Sequence, residues 1–504
     1  MTVTPDSSSP VALSRLASAC GDALMAVDGD PATEVTGVTL DSRAAGVGDL
    51  FFCVPGHVTD GHQFAPNAVA GGAAALVVER PLRLGVPEVL VTSARVAMAR
   101  MGAAFYGRPA DGLLLLGVTG TSGKTTTAYL LEPILAAAGY TTGLIGTIET
   151  RIGGVARVGA RTTPDSLDLQ RLFAEMRAAG VGAVAMEVSS HALALHRVEG
   201  VRFTAAGFMN LSQDHLDFHA GMQDYFAAKR SLFVPGRVVR GAINVDDAYG
   251  RKIKESSEVD VIGFGIASDA DVRPEGLRRG PWGQEFVALT PAGEMKITTQ
   301  LVGDFNLSNC LAAIAIALQA DIAPAAIESG LAGVKSVPGR FEGVDCGQPF
   351  AVVVDYSHKP GALDNVLREA RRMSEPGGGR VICVFGCGGD RDRAKRPLMG
   401  RVAARLADVV VVTSDNPRGE DPEAIVAAIL EGVAAERAEG ADHIIIDRRE
   451  AITTAIEQSR AGDVVVIAGK GHETGQAFAD HTAPFDDREV ARAALKDGGW
   501  TEAC

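Results

Sequence analysis

Positive charge is scarce in this chain. Lys and Arg number 48 against 62 Asp and Glu, a formal charge of −14. That argues against general nucleic-acid binding, which needs a basic footprint. Anionic small ligands stay open, because a few placed cations serve them. Aromatics are sparse, 5% of residues with two Trp. The seven cysteines are scattered and odd in number. Cys383 and Cys387 alone are too few for a zinc site, so reduced thiols are expected. No apolar run reaches membrane length, and the one from Leu311 stops at Gln319 and Asp321. The opening residues, MTVTPDSSSPVALSRLASAC, lack the apolar core of a signal peptide. The expectation is a cytoplasmic protein with no membrane span and no nucleic-acid partner.

What is present is ordinary for a globular protein: 46% hydrophobic and 22% charged residues over 504 positions. At roughly 100–200 residues per domain that allows two to four domains. Glycine is plentiful, at 59. Short continuous apolar runs recur at 113–118, 182–188, 351–356, 381–386, 408–413 and 463–469. Continuous rather than alternating runs predict parallel strands covered on both faces. Helical stretches at 166–180 and 422–440 lie between them. The order predicts an α/β protein with doubly wound parallel sheets. GRPADG (107–112) and VPGRFEG (337–343) read as boundaries, giving domains at 1–110, 111–337 and 338–504.

The strand-like LLLLGV is followed by GVTGTSGKTTT (117–127) and then by a helical stretch. That context is what a phosphate-binding loop requires. Gly120 and Gly123 let successive N–H groups turn toward one anion. Thr121, Ser122 and Thr126 lie in the same loop and turn. Lys124 would reach the outer phosphates, and the Thr125 hydroxyl suits magnesium. The strict pattern wants Gly six residues before the lysine, where this chain has Val118. A nucleoside triphosphate is therefore expected. A GTP-dependent switch would carry an Asn-Lys-x-Asp guanine reader, and no Asn-Lys pair occurs, so ATP used by an enzyme is the expected case.

Glu187 ends the run GAVAME, where an acid downstream of a phosphate loop commonly holds magnesium. NLSQDHLDFH (210–219) packs Asp214, His215, Asp217 and His219 together. By itself His219 reads as a surface-loop histidine and Lys229 as a helical surface lysine.

Taken together, TGTSGKTTT (119–127), TTPD (162–165), EVSSHAL (187–193), NLSQDHLDFH, AAKRSLF (227–233), GDFNLSN (303–309), PGRFE (338–342), DYSHKPGALDN (355–365) and AGKGHE (468–473) resemble the Mur ligases. These are ATP-dependent amide-forming enzymes that build the peptidoglycan stem peptide. Within the family the chain resembles members adding the third residue. DNPR (415–418) resembles the version adding meso-diaminopimelate rather than lysine. Folylpolyglutamate synthetase is a more distant relative, and TLDSR (39–43) with FGCGGDRDRAKRP (385–397) points away from it.

The resemblance implies three domains: one for the UDP end of the substrate, a central phosphate-loop ATPase and a C-terminal Rossmann-like domain. It places Gly120 to Thr126 around the ATP phosphates, Asn306 by the adenine, and Arg340 and Asp355 toward the γ-phosphate. Thr125 and Glu187 would hold one magnesium. His215 and Lys229 would hold a second, with Lys229 as a CO₂-derived carbamate. With Lys124, these acid, imidazole and lysine groups form the implied catalytic set. The UDP-N-acetylmuramoyl-L-alanyl-D-glutamate substrate would meet Leu40, Ser42, His57, Val58, Thr59, Thr162, Thr163, Ser189 and Arg197. Arg197 is physically apt, since a dipeptide ending in glutamate calls for a cation. Leu195 stands where some members carry a Gln contacting this substrate. Diaminopimelate would meet Arg391, Asp415, Asn416, Pro417, Arg418, Gly469 and Glu473. DYSH replaces the commoner DYAH, a change expected to be neutral. A monomer is expected.

Overall fold

Runs of β-branched residues become strands buried on both faces. In the computed structural model, which describes residues 10–501 apart from 57, 58, 160 and 281, Val409–Val412 is buried throughout. Val410 and Val412 enter one apolar cluster, and Val409 and Val411 the opposite one. The same alternation holds along Val381–Phe385 and Val464–Ala468. Fully burying one such side chain is worth roughly 1.5–3 kcal/mol over leaving it exposed, so four consecutive valines have no stable alternative in a solvated loop. The strands run close to the expected segments, at Leu114–Thr119, Ala183–Glu187 and Ala351–Asp355. The two helices span Ser166–Ala178 and Pro422–Glu436. Both end before the expected limit, the second where Arg437 takes an extended conformation.

The described chain divides into two compact units. One takes the chain up to Leu277 with Glu285–Thr298 and Ser308–Gly333; the other takes Arg278–Gln284, Thr299–Leu307 and the residues from Val334 onward.

The first unit contains a five-stranded and an eight-stranded sheet. The N-terminal one orders its strands Leu24–Asp28, Glu88–Val91, Ala75–Val78, Asp49–Phe52, Gly37–Thr39. All its pairings but the first are parallel. The second sheet has eight strands, in the order Val155–Val158, Glu149–Ile152, Thr142–Ile145, Ala183–Glu187, Leu114–Thr119, Phe203–Phe208, Val238–Asn244, Asp260–Phe264. Its first two pairings are antiparallel and the rest parallel. Leu114–Thr119 comes first of these in sequence yet lies inside the sheet. Its C-terminal end is thus a topological switch point, where open α/β sheets bind ligands.

The second unit holds a six-stranded sheet in the order Glu342–Gly343, Ala351–Asp355, Val464–Ala468, Val381–Phe385, Val409–Val412, His443–Ile444. Only its first pair is antiparallel. Asp355 and Phe385 both pair with Ala468, and Phe385 with Val412. The segments that follow those four strands therefore leave one rim. The predicted α/β class with parallel sheets is what the chain adopts.

Cys20, Cys53, Cys310, Cys383 and Cys387 are buried free thiols, as expected. Cys346 departs from that expectation, being disulfide-bonded. Among the described residues no helix is long and apolar enough to cross a membrane.

Candidate active site

Glu187 is the last residue of its strand and pairs with Val118 beside it, so the strand register alone delivers a carboxylate to the phosphate loop. The loop turns at Gly123, whose φ is +88° and where a Cβ would lie 2.6 Å from Asn309 Oδ1. Only glycine fits there. The helix Lys124–Ala137 starts at the next residue, with its N-terminal N–H groups and dipole toward the loop. Thr125 Oγ1 donates to Glu187 Oε2 at 3.0 Å. Thr147, which the sequence reading missed, donates to the same carboxylate through its N–H (2.7 Å) and its hydroxyl (3.1 Å). The Thr147 hydroxyl also bonds Thr162 Oγ1 at 3.0 Å.

The network continues. Thr163 donates to the Glu187 carbonyl at 2.8 Å and accepts from the Ser189 N–H at 3.1 Å. Arg197 donates to the Thr163 carbonyl at 3.2 Å. Its pKa is pushed below the usual guanidinium value, by burial first and then by Arg161 and Arg95, while Asp165 opposes the shift. Asp165 lies among these cations, 3.2 Å from Arg161 and 3.7 Å from Arg197. Arg95, also missed, donates to the Pro55 carbonyl at 2.8 Å. That carbonyl lies in the turn leading to Thr59.

Two lysines meet on one carbonyl. Lys124 Nζ donates to Gly120 O (2.9 Å) and Thr121 O (3.0 Å), and Lys229 Nζ donates to the same Gly120 O at 2.8 Å. Lys229 is 1% exposed, with its ammonium 4.7 Å from the Tyr225 ring centre. The surface-lysine expectation is therefore corrected: helix Met222–Arg230 turns this side chain inward onto the loop. The Tyr225 hydroxyl bonds Thr121 Oγ1 at 3.0 Å.

His219 is also corrected. It is 2% exposed, and its Nδ1 lies 3.1 Å from Asp224. Its ring joins a cluster with His191, Phe218 and Tyr225. His215 takes φ +54° and places its ring 4.8 Å from His191. Burial, then His219 and Arg197, push the His191 pKa down, which favours a neutral imidazole. Among the described residues no group of three or more His, Cys, Asp or Glu is arranged to hold a metal.

In the second unit Asp355 is buried. It accepts from the Phe341 N–H at 2.8 Å and from the Ser357 hydroxyl. Burial raises its pKa. The Ser357 hydroxyl bond opposes that shift, a contact that the expectation of neutrality for DYSH left out. The Arg340 guanidinium lies over the Tyr356 ring at 4.6 Å. Asn306 is buried and donates to the Val302 carbonyl at 2.8 Å.

On the same rim, Asn416 Nδ2 donates to Glu473 Oε2 at 2.8 Å. Arg418, at φ +51°, donates to the Gly389 carbonyl at 2.8 Å. Gly469 has φ +120°, and a Cβ there would collide with the Asp415 carboxylate. A Cβ on Gly388 would lie 2.9 Å from Arg418 Nη1 and 3.9 Å from Arg391 Cγ, so the two arginines flank one turn. Arg448 was missed: fully buried, it makes a paired contact with Asp487 at 2.7 Å and donates to the Ala468 carbonyl at 3.0 Å, bracing this rim.

Leu40 and Ser42 follow the strand Gly37–Thr39, and Leu40 is 43% exposed. Thr59 closes a turn through its carbonyl, which accepts from the Gly56 N–H at 2.8 Å. His57 and Val58 lie outside the described residues. Among the described residues no hydrogen bond ties Leu40, Ser42 or Thr59 to the Glu187 network.

Three family models match in order: the Mur ligase family catalytic domain over residues 34–106, the Mur ligase middle domain over 118–317, and the Mur ligase glutamate ligase domain over 339–471. The UDP-N-acetylmuramoyl-L-alanyl-D-glutamate–2,6-diaminopimelate ligase of Streptomyces coelicolor is 47% identical over 477 residues, covering 93% of this chain and 94% of its own. The enzyme of the same name from Geobacillus thermodenitrificans is 48% identical over 471 residues, covering 92% and 95%. A solved structure of a ligase of that name superposes with a TM-score of 0.72 at 32% identity, over 98% of this chain and all of the other. MurF ligase from Thermotoga maritima shares the fold, with a TM-score of 0.60 at 19% identity over 91% of this chain and 96% of its own. With the phosphate loop, its strand-end carboxylate and Asp415 to Arg418 and Gly469 of the C-terminal rim inside the matched segments, the chain belongs to the Mur ligase family.

Proposed function

We propose that this ligase joins meso-diaminopimelate to UDP-N-acetylmuramoyl-L-alanyl-D-glutamate, using ATP, in peptidoglycan synthesis. The observation that carries the reading is the convergence of Lys124 and Lys229 on the Gly120 carbonyl, beside a carboxylate linked through threonines to Arg197. This is a phosphate site adjoining a carboxylate-binding site, which is what acyl phosphate chemistry needs. The enzyme acts in the cytoplasm as a monomer, with functional boundaries near residues 110 and 337.

A carboxylate is a poor acyl donor to an amine at neutral pH. The γ-phosphoryl of ATP converts it to an acyl phosphate: a carboxylate oxygen attacks phosphorus and ADP leaves. The diaminopimelate amine then attacks the acyl carbon, and inorganic phosphate leaves from the tetrahedral adduct. Gly120 to Thr126 cradle the phosphates, and Lys124 offsets charge on the transferring group. Arg197, with Thr162, Thr163 and Ser189, holds the glutamate end in line for attack. Leu40, Ser42 and the turn ending at Thr59 take the uridine end. Asn306 lies on the adenine side, and Arg340 and Asp355 serve the γ-phosphate. Asp415 to Arg418, Arg391, Gly469 and Glu473 take diaminopimelate, Arg418 pairing its distal carboxylate.

Thr125, Glu187, His215 and Lys229 as a carbamate would hold magnesium. Bound there, the metal offsets repulsion between the γ-phosphate and the attacking carboxylate. Carbamate formation would join the Lys229 amine nitrogen to CO₂ with loss of a proton. The product would set an anion next to Lys124 in place of a second cation.

The acyl phosphate is tested by oxygen transfer. With ¹⁸O in the glutamate carboxylate, the account expects one labelled oxygen in the released phosphate. Unlabelled phosphate alongside full amide formation would rule it out.

A further inference from the structure

Lys470 is a fully buried lysine, 0% exposed. Its ammonium donates to Asn416 Oδ1 at 3.0 Å, Glu473 Oε2 at 3.1 Å and the Gly475 carbonyl at 2.7 Å. An ammonium has three N–H groups, so these contacts use all of them. It keeps no donor for a ligand. A buried cation is retained only when it is fully satisfied, and here the groups that satisfy it include two side chains of the proposed amino-acid site.

We infer that Lys470 is a specificity-positioning residue: it fixes Asn416 and Glu473 so that they present one donor and one acceptor to the zwitterionic far end of a diamino-dicarboxylic acid. Asn416 Oδ1 accepts from Lys470 and from the Ala477 N–H at 2.9 Å. That double contact dictates which way the amide faces. Nδ2 must then point at Glu473, and it donates to Oε2 at 2.8 Å. Glu473 Oε2 thereby accepts from both Asn416 and Lys470. Among the described residues no protein group donates to Glu473 Oε1, and the Glu473 side chain is 31% exposed. The groups left over are Glu473 Oε1 and the second Nδ2–H of Asn416. Side by side they match an ammonium and a carboxylate on one carbon. Lysine carries only the ammonium at that end. Without Lys470 the amide loses one of its two fixing donors, and Glu473 is free to turn away.

This inference rests on the diaminopimelate reading, and steady-state kinetics separate the two. Lys470→Met keeps the apolar stem and removes the ammonium. The expected result is a rise of at least tenfold in KM for diaminopimelate, with KM for ATP and for the UDP-dipeptide within about twofold of wild type. The preference for diaminopimelate over lysine should fall at least tenfold. Lys470→Gln, which can still donate to Asn416, should recover part of the loss. In a Glu473→Gln background, Lys470→Met should add less than twofold to the diaminopimelate KM, because the two act through one site. An unchanged diaminopimelate KM, an equal loss for all three substrates, or failure of both variants to fold would overturn the inference by making Lys470 part of the structural frame. Wild-type enzyme that does not use diaminopimelate would instead sink the underlying reading.

Discussion

At the scale of single residues, charge placement dominates. Lys124 and Lys229 share one carbonyl, yet their roles differ. Lys124 serves the phosphates as a cation, so Lys124→Ala should cut ligation by at least ~10³-fold, about 4 kcal/mol of transition-state stabilisation. Circular dichroism and the melting temperature should stay close to wild type. Lys229 acts through an anionic derivative, so Lys229→Ala should be nearly inactive and partly recovered by short carboxylic acids such as acetate or formate. Rescue by methylammonium instead would show that a cation is what the position supplies. The sequence displayed these residues unequally. Lys124 sits in a motif whose glycines and flanking elements declare it. Lys229 on its own has the sequence environment of any solvated helix, and only family resemblance or coordinates reveal that its face is buried. Thr147 was illegible for a different reason: its hydroxyl matters because the strand Thr142–Ile145 runs beside Ala183–Glu187, a pairing between segments far apart in sequence. Lys470 lies in AGKGHE (468–473) but carries no signal there, since its partners depend on how distant turns meet.

At the scale of elements, the strand ends set the chemistry. Thr119, Glu187 and Phe208 finish neighbouring parallel strands, and Asp355, Ala468, Phe385 and Val412 finish another set. Continuous apolar runs made these strands legible, because a residue run buried on both faces admits few other folds. Their order in the sheet was not legible, because every run looks alike. The turn at Gly123 offers a direct check. Gly123→Ala forces a side chain into a φ of +88° and against Asn309, a combined cost of roughly 1–3 kcal/mol. We expect KM for ATP to rise at least tenfold, with a small loss of thermal stability. A variant with normal ATP affinity would mean that the loop rearranges on binding nucleotide.

At the scale of the whole molecule, partly buried histidines couple stability to pH. Burial holds His358 and His472 at about 4, well below the ordinary 6.5. Between those values the unfolded chain binds protons that the native chain does not. Stability should therefore fall as pH drops from 7 toward 4.5, by roughly 2 kcal/mol per histidine at pH 5. Asp355, raised by burial, works in the opposite sense, so the effect is best read as a difference. The melting temperature of the double variant His358→Gln, His472→Gln should depend less on pH over this window than that of wild type. Equal slopes would contradict the assignment.

The central claim concerns the bond that is made, and one assay addresses it. Purified enzyme is given ATP, magnesium and UDP-N-acetylmuramoyl-L-alanyl-D-glutamate with meso-diaminopimelate, with lysine, or with no amino acid, and the products are resolved by mass. The account predicts UDP-muramoyl-tripeptide with diaminopimelate, in step with ADP release. It predicts orders of magnitude less with lysine, which leaves Arg418 without its carboxylate partner. Lysine used as efficiently as diaminopimelate would contradict the specificity, and ATP hydrolysis without amide in any arm would contradict the ligase itself.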